Sequence, residues 1–475
     1  MEPISLEEAL ERLPQGLFQW RLLLMCGMAF MADALEVNLL TFLATCAGDD
    51  WGLTNTEKAS ITGVVFAGII LGTVFWGSFA EKYGRRWTYL LACCIVASFG
   101  FLSGAAPNYE VLIVLRTAVG FGLGAMDVPF DLLAEFLPDE TRGKFLIYIT
   151  YFWTLGSLLV TGLAWAFLSQ GGWRALTYAT AIPVTLISAA SLLYLPESPR
   201  WLLIKGRGAE AAQVIHDAAR VNGVSLAPFT LLGAGGAEDT EGGSGDGNAL
   251  LDPPKEGTYS QLLSNRAVFV VSLPLWVVWL SFGFTYYGII LFVGRVYEKG
   301  DGESCSFDYQ NIFLNALSEI VGCTLALFVV DGWGRRPSQT VFYAISGVAS
   351  LLMGFGLGLL DSAAAVLAFG LVARLTCKTA LSATWVTTPE MFPTSLRTVG
   401  HASCFALSKA GAFCTPFLVN SSLSGQAVGT VLCAVNLVGA AAASFLPETK
   451  GTRMDALDGM AAPNFPSPVS SHTRL

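Results

Sequence analysis

Charge is what this sequence has least of. Asp, Glu, Lys and Arg make up 13% of its 475 residues, against 53% hydrophobic, where a soluble domain averages nearer a quarter charged. Too few polar residues are present to cover a water-exposed surface of this size, which excludes an ordinary soluble enzyme. Histidine is scarcer still, three in all, and no nucleophile elbow accompanies it, so no catalytic activity is expected. The ten cysteines include no C-x-x-C spacing, so neither a metal nor a cofactor is expected. The net charge is −9, which offers no basic footprint for nucleic acid.

What is present instead is a series of apolar runs, each long enough to cross a ~30 Å hydrocarbon core as a helix. In lipid every backbone group must be satisfied within the segment, so the runs are read as helices. The first half gives spans at 17–45, 58–80, 87–106, 109–133, 145–168 and 174–195. The second gives 266–293, 308–330, 338–361, 364–388, 399–420 and 423–446. The expected fold is an all-α integral membrane protein whose partner is the lipid bilayer. Residues 1–16 are expected to form an N-terminal tail and 447–475 a C-terminal one. Between the halves, 196–265 reads as a linker, helical over about 200–222. The linker is then flexible through "GAGGAEDTEGGSGDGNALLDPPKEG" (233–257), which is Gly-, Ser- and acid-rich without periodicity. Its GGSGDG lacks the preceding strand and GK[ST] of a phosphate loop. The opening "MEPISLEEALERLPQ" is acidic and amphipathic, so no signal peptide is expected.

Basic residues are distributed unevenly about these spans. Lys82, Arg85, Arg86, Arg142, Lys144, Arg200, Lys205, Arg207, Arg335, Arg336, Arg397, Lys450 and Arg453 fall on one side, and little beyond Arg174, Arg295 and Lys299 on the other. The positive-inside bias then places both termini in the cytoplasm, in either the plasma membrane or an internal vesicle or vacuole membrane.

Three short motifs occur twice. Glu81-x-x-Gly84-Arg85-Arg86 returns 250 residues on as Asp331-x-x-Gly334-Arg335-Arg336. "AEFLPDETRG", with Glu135, Pro138 and Arg142, returns at offset 255 as "PEMFPTSLRT", with Glu390, Pro393 and Arg397. "PESPR", with Glu197 and Arg200, returns at offset 251 as "PETKG", with Glu448. Each follows the second, fourth or sixth helix of its half. Two homologous halves joined by a long inner loop are the architecture of a rocking carrier with its site at the midplane.

On these motifs the chain resembles the major facilitator superfamily over about 430 residues. G-x-x-x-[DE]-x-x-G-R-R, beginning at Gly77, together with PESPRWL and PETKG, is similar to the sugar-porter branch. "MADALEVNLLTFLA", "TPEMFPTSLRTVG" and "SFDYQNIFLNALSEIVG" resemble the synaptic-vesicle-two-related group, near organic ion and niacin-type carriers. The resemblance implies a twelve-helix fold of two six-helix pseudo-symmetric halves. It also implies that Gly77, Glu81, Gly84, Arg85, Arg86, Glu135, Arg142, Glu197 and Arg200 form a cytoplasmic gate. Asp331, Gly334, Arg335, Arg336, Glu390, Arg397 and Glu448 would complete it. Ion pairs there are expected to form only while the inner mouth is closed. In the second copy the first glycine is replaced by Leu327, so helix packing there is expected to be looser. The Gln-rich seventh-helix signature of sugar porters is missing from "LPLWVVWLSFGFTYYG", which counts against a hexose.

Ionisable residues inside the spans cost about 2.5–3.5 kcal/mol each on insertion scales and are functional candidates. Asp33 and Glu36 share a face of the first helix, and Arg116 lies in the fourth. Proton-coupled members of the sugar-porter branch hold a first-helix Asp against a fourth-helix Arg, so Asp33, Glu36 and Arg116 are the expected proton-coupling group. Asp127, Asp131, Glu319, Arg374, Lys378 and Lys409 are candidates for handling solute, with Tyr286 and Trp385 chosen from a set of aromatics that includes Trp153, Trp279, Phe282 and Tyr287. A fixed structural ion pair or ordinary ring packing is the alternative for each. "GFGLG" (120–124) lies inside a helix, where small residues permit close contact. Cys46 and Cys305 both fall in expected outer loops, which leaves a disulfide between them open.

The expected activity is secondary active transport of a small organic ion or zwitterion with protons, by a monomer. The alternatives are an uncoupled uniporter or exchanger, and a transporter-like receptor or scaffold.

Overall fold

The computed structural model describes residues 2–126, 128–137, 139–231, 259–299, 305–356, 362–393 and 396–450. After a strand β1 (Glu2–Ile4) and a short helix α1 (Leu6–Glu11), six crossings are built from α2 (Leu17–Asp50), α3 (Asn55–Tyr83), α4 (Arg85–Gly104), α5 (Tyr109–Leu123) with α6 (Val128–Glu135), and α7 (Asp139–Tyr194). Then come α8 (Pro199–Ile204), α9 (Gly208–Val221), β2 (Phe229–Leu231) and α10 (Tyr259–Ser264). The second half is α11 (Arg266–Val296), α12 (Tyr309–Trp333), α13 (Arg335–Gly356), α14 (Ala363–Glu390), α15 (Arg397–Val419) and α16 (Gly425–Ser444).

Among the described residues, eleven helical stretches are long and apolar enough to cross a membrane, one fewer than the expected twelve. The difference lies in α7, whose 56 residues would span about 84 Å if straight, more than twice a hydrocarbon core. Its backbone breaks at Gly172, φ 65° and ψ −170°, a left-handed conformation that favours glycine, and the chain crosses again. With an even number of crossings, the starts of α2 and α11 and the ends of α7 and α16 share one side, the tail face. The opposite side is the far face.

Helix starts are capped by short polar side chains. Thr54 and Glu57 form a reciprocal capping box at α3, Asn108 caps α5, Ser198 caps α8 just before Pro199, and Ser424 caps α16. Each satisfies N–H groups the helix leaves orphaned. Inside the first half the glycines of GFGLG serve packing. A Cβ on Gly120 would strike the Val65 carbonyl, and one on Gly124 would meet Gly72. The two helices therefore touch backbone to backbone, and no nucleotide loop exists there.

The N-terminal segment and the start of the linker meet in a small packed unit on the tail face. β1 pairs in parallel with β2, Glu2 opposite Phe229 and Ile4 opposite Leu231. Ile4, Ala9, Trp201, Leu202, Ile215 and Leu231 form its core. Asn222 fixes the unit to α2, accepting from the Phe18 N–H at 2.7 Å and donating to the Pro14 carbonyl at 2.8 Å. The Trp201 indole donates to the Glu81 carbonyl at 2.8 Å. The stretch expected to be flexible, 233–257, lies outside the described residues.

Trp201→Ala removes the largest side chain of this unit and its hydrogen bond to the Glu81 carbonyl, a loss of about 3–5 kcal/mol by analogy with buried aromatic truncations. Hydrogen exchange over residues 2–12 and 199–231 is expected to rise sharply while the spanning helices keep their protection. Unchanged exchange in those segments would show that the unit does not depend on this core.

Candidate functional site

The twice-written tail-face turn has the same geometry both times. Gly84 closes α3 at φ 102° and Gly334 closes α12 at φ 108°, which turns the next helix back beside the last. The N–H groups thus exposed at the start of α4 and α13 are each held by a carboxylate from the third motif. Glu197 accepts from Arg85 N–H at 2.8 Å and Arg86 N–H at 3.2 Å. Glu448 accepts from Arg335 N–H at 2.8 Å, Arg336 N–H at 3.1 Å and Lys450 N–H at 2.9 Å. An anion at a helix N-terminus is favoured by the exposed donors and by the dipole. Both glycines are needed twice over, because a Cβ on Gly84 would collide with the Glu197 carboxylate and one on Gly334 would lie 2.7 Å from that of Glu448.

The arginine side chains reach the second motif. Arg85 Nε is 3.6 Å from Glu135. Arg335 meets Glu390 through Nε at 3.2 Å and a second nitrogen at 3.3 Å, and Asp331 at 3.1 Å. Thr449 also donates to Glu390. Arg86 donates to the Leu192 carbonyl at 2.9 Å and Arg200 lies 3.9 Å from Glu7. Gly77 faces open space and Glu81 is exposed. The side chains of Arg142 and Arg397 lie outside the described part. Among the described residues, the contacts of Arg85, Arg86 and Arg335 join elements of the same half, and Arg200 reaches Glu7 of α1. The cluster ties each half into a rigid unit.

The expected Asp33–Arg116 pair is also corrected. Arg116 instead donates to Glu36 at 3.0 Å, and both residues are buried. Glu36 lies one turn closer to the far face than Asp33, and that is the level at which α5 carries Arg116. Gly100 of α4 lies beside the Glu36 carboxylate. Asp33 is left with a buried Oδ1 that has no hydrogen-bond partner among the described residues. The opposite charge acting on it is Lys409, across on α15 of the other half.

Glu319 is a heavily coordinated acid in the interior. Arg374 Nε donates to it at 2.8 Å, the Tyr286 hydroxyl at 3.1 Å and Thr154 of the first half at 3.2 Å, with Lys378 at 3.8 Å. The Lys378 ammonium lies 5.8 Å from the Trp153 ring and 5.6 Å from Tyr286. Lys409 donates to the Tyr287 hydroxyl at 3.1 Å and sits 4.6 Å from the Phe405 ring. Rings thus line a central site whose charged groups come from both halves. On the tail-face side of these groups Phe130 of α6 packs against Trp385 of α14, centroids 5.1 Å apart. Trp385 in turn packs on Trp279 and His401. Asp131 is exposed, one turn from Glu135, and Asp127 lies outside the described residues. Thr154, Phe130, Phe405 and Phe66, which packs on Tyr287 at 4.8 Å, carry no sequence signal. Each is an unremarkable residue in an apolar run.

On the far face the halves are shut. A Cβ on Gly294 would strike Thr41, Phe42 meets Phe307 edge-on at 5.2 Å, and Cys46 is joined to Cys305 by a disulfide.

Residues 17–461 match the family model described as "Sugar (and other) transporter". The chain belongs to that family, within the major facilitator superfamily. The transporter is 31% identical to the synaptic vesicle 2-related protein of Xenopus laevis, over 95% of this chain and 82% of the relative. It is 30% identical to organic cation/carnitine transporter 7 of Arabidopsis thaliana, over 98% of each. Its fold matches the inward-open xylose transporter XylE of E. coli with a TM-score of 0.70 at 16% identity, over 93% of this chain and 99% of that one. It therefore moves a solute across a membrane and is not an enzyme.

Two outcomes follow for the transporter's charges. Glu36→Gln leaves the Arg116 guanidinium buried without its counter-charge, an effect of about 3–5 kcal/mol, so the melting temperature in detergent is expected to fall by several degrees. Asp33→Asn, which leaves the Glu36–Arg116 pair intact and removes a carboxylate whose Oδ1 has no hydrogen-bond partner among the described residues, is expected to lower it less; equal losses would show that Asp33 is structural too. Glu448 lies beyond the last span. Burial alone would raise its carboxyl, but the N–H groups of Arg335, Lys450 and Arg336 outweigh this and hold it below the ordinary 4.5. A lowered acid contributes stability that is complete above its unfolded value and disappears as pH falls through the folded one. Acid destabilisation below about pH 4.5 is expected to flatten in Glu448→Gln, measured as melting temperature against pH.

Proposed function

We propose that the transporter is a proton-coupled symporter of a small organic ion or zwitterion, working by alternating access as a single chain with both termini in the cytoplasm. The observation that carries this is Asp33, a buried carboxylate with an unpartnered oxygen whose counter-charge, Lys409, belongs to the opposite half. Rocking of the halves changes the separation of these two groups. With Lys409 near, the ionised form is compensated. With it withdrawn, a buried carboxylate is cheaper neutral, and it takes up a proton. Arg116 and Glu36 stay paired within one half and hold α2 and α5 in register beside this site.

The solute class rests on charge and rings. Among the described residues, Asp33, Glu36 and Glu319 share the interior with Arg116, Arg374, Lys378 and Lys409, all buried. The Lys378 ammonium beside the Trp153 and Tyr286 rings suits a carboxylate-bearing organic solute. The name of the Arabidopsis relative includes carnitine, a zwitterion with such a group. Glu319 and Trp385 are assigned to the solute site, Glu319 because Thr154 ties it to the other half and Trp385 because it packs against Phe130 on the tail-face side. A single chain suffices because it supplies both walls. The basic bias of the tail face assigns that face to the cytoplasm.

The test is uptake into proteoliposomes with an imposed inward proton gradient, using labelled organic carboxylates, amines, zwitterions and sugars. Gradient-stimulated uptake that Asp33→Asn abolishes, with solute exchange retained, is the expected result. Uptake indifferent to both the gradient and Asp33 would make the transporter an uncoupled carrier. No uptake of any solute by folded protein would favour a receptor.

A further inference from the structure

Cys46 and Cys305 are 259 residues apart and belong to different halves, yet their Cα atoms are 4.8 Å apart. Cys46 sits in the last turns of α2, at the far face. Cys305 lies in the connection from α11 to α12, and the described residues on either side of it are tied to each other. Glu298 and Phe307 form an antiparallel bridge, Lys299 N–H donates to the Ser306 carbonyl at 2.8 Å, and Asp308 N–H donates to the Tyr297 carbonyl at 2.8 Å. Cys305 is thereby held to the ends of both α11 and α12. The disulfide is a covalent bond between the first helix of one half and the first pair of helices of the other, placed at the side of the molecule that has to part for the far side to open.

We propose that this disulfide is a redox-operated lock on the far-side gate. Disulfides keep Cα atoms within about 6.8 Å of each other, so the oxidised transporter has roughly 2 Å of freedom at this point. That is far less than the passage of an organic solute needs. The other contacts that shut this side are non-covalent: Phe42 on Phe307, Trp165 stacked on Tyr309 at 6.4 Å, and Thr41 against Gly294. Contacts of this kind exchange on the timescale of rocking, and the disulfide does not. Oxidised, the transporter is confined to states with the far side closed. Reduced, the same halves are free to cycle.

The chemistry is thiol–disulfide exchange. Cys305 is partly exposed while Cys46 is 2% exposed, so a thiolate of an external dithiol attacks the Cys305 sulfur, breaks the S–S bond and expels the Cys46 thiolate, which takes a proton. The second thiol of the reagent then displaces Cys305. Two electrons and two protons pass to the cysteines, which become thiols, and the dithiol leaves as its cyclic disulfide.

The inference rests on the rocking of halves proposed above, and its test needs no solute. Purified full-length transporter in lipid nanodiscs is compared with and without dithiothreitol, and with Cys46→Ser and Cys305→Ser. Maleimide labelling of the denatured, unreduced wild type is expected to count eight thiols, the number of unbonded cysteines, and ten after reduction. Hydrogen exchange is then read over 38–50, 286–299 and 305–312. A rise of about tenfold or more there on reduction, reproduced by either serine variant without reductant, is the expected result. Ten thiols before reduction would overturn the proposal, as would far-side exchange indifferent to reduction and to both variants. Reduction of the wild type keeps the test decisive should a serine variant fail to fold. A far side that opens on reduction without gradient-driven uptake would overturn proton coupling and leave the lock standing.

Discussion

A charge inside the membrane-spanning region has to carry its compensation with it, and most of the functional layout follows from how each is compensated. Arg116 and Glu36 compensate each other inside one half, and Arg374 compensates Glu319 inside the other. Those pairs ask nothing of the opposite half and survive any motion between halves. Three contacts are different in kind. Asp33 is compensated by Lys409, Thr154 donates to Glu319, and Lys378 lies beside the Trp153 ring. Each crosses from one half to the other, so a rocking motion changes it. The division between charges settled within a half and charges settled across the gap separates scaffold from proposed mechanism without appeal to sequence position.

The tail-face repeat obeys a related rule at the membrane surface. Turning from α3 to α4, and from α12 to α13, leaves two helix N-termini bare at the edge of an apolar medium. Each is closed by a carboxylate that arrives more than a hundred residues later. The caps fasten the last helix of each half to its second and third, and Arg85–Glu135 and Arg335–Glu390 add the fourth. Such exposed or half-exposed pairs are individually weak, and their value lies in number and position. Rigid halves are a precondition for rocking, because a half that deformed internally would dissipate the coupling between its two ends.

Much of this was legible from residues alone. Run lengths located the crossings because lipid tolerates no unpaired backbone, and the threefold repetition of short motifs located the halves. The sequence even showed which turn hid between 168 and 174, where one continuous helix is broken only at Gly172. What it did not show was partnership. Asp33 and Glu36 stand on one helix face, and nothing in their spacing says which of them meets Arg116; that depends on the relative depth of α2 and α5, which only the packed helices show. The gate arginines were visible, but not that their partners lie in the same half. Thr154 and Phe130 were invisible because a threonine or phenylalanine in an apolar run is ordinary until a carboxylate or a tryptophan is placed opposite.

The two sides of the central site are closed by contacts of unequal strength, and the inequality has a direction. Towards the tail face the contacts between halves are non-covalent, among them Phe130 on Trp385, a ring pair worth about 0.5–1.5 kcal/mol beyond its burial, and Tyr151 with Thr324. Towards the far face there are ring contacts, a close approach of α2 to α11 and a covalent bond. A carrier has to equalise its two gates to within a few kcal/mol if both states are to be populated. With the covalent bond in place, the far-closed state has no competitor. Remove it and what remains on either side is of one kind, non-covalent contacts meeting across a gap, and the balance returns to the range in which the proposed proton on Asp33 or a bound solute is enough to tip it.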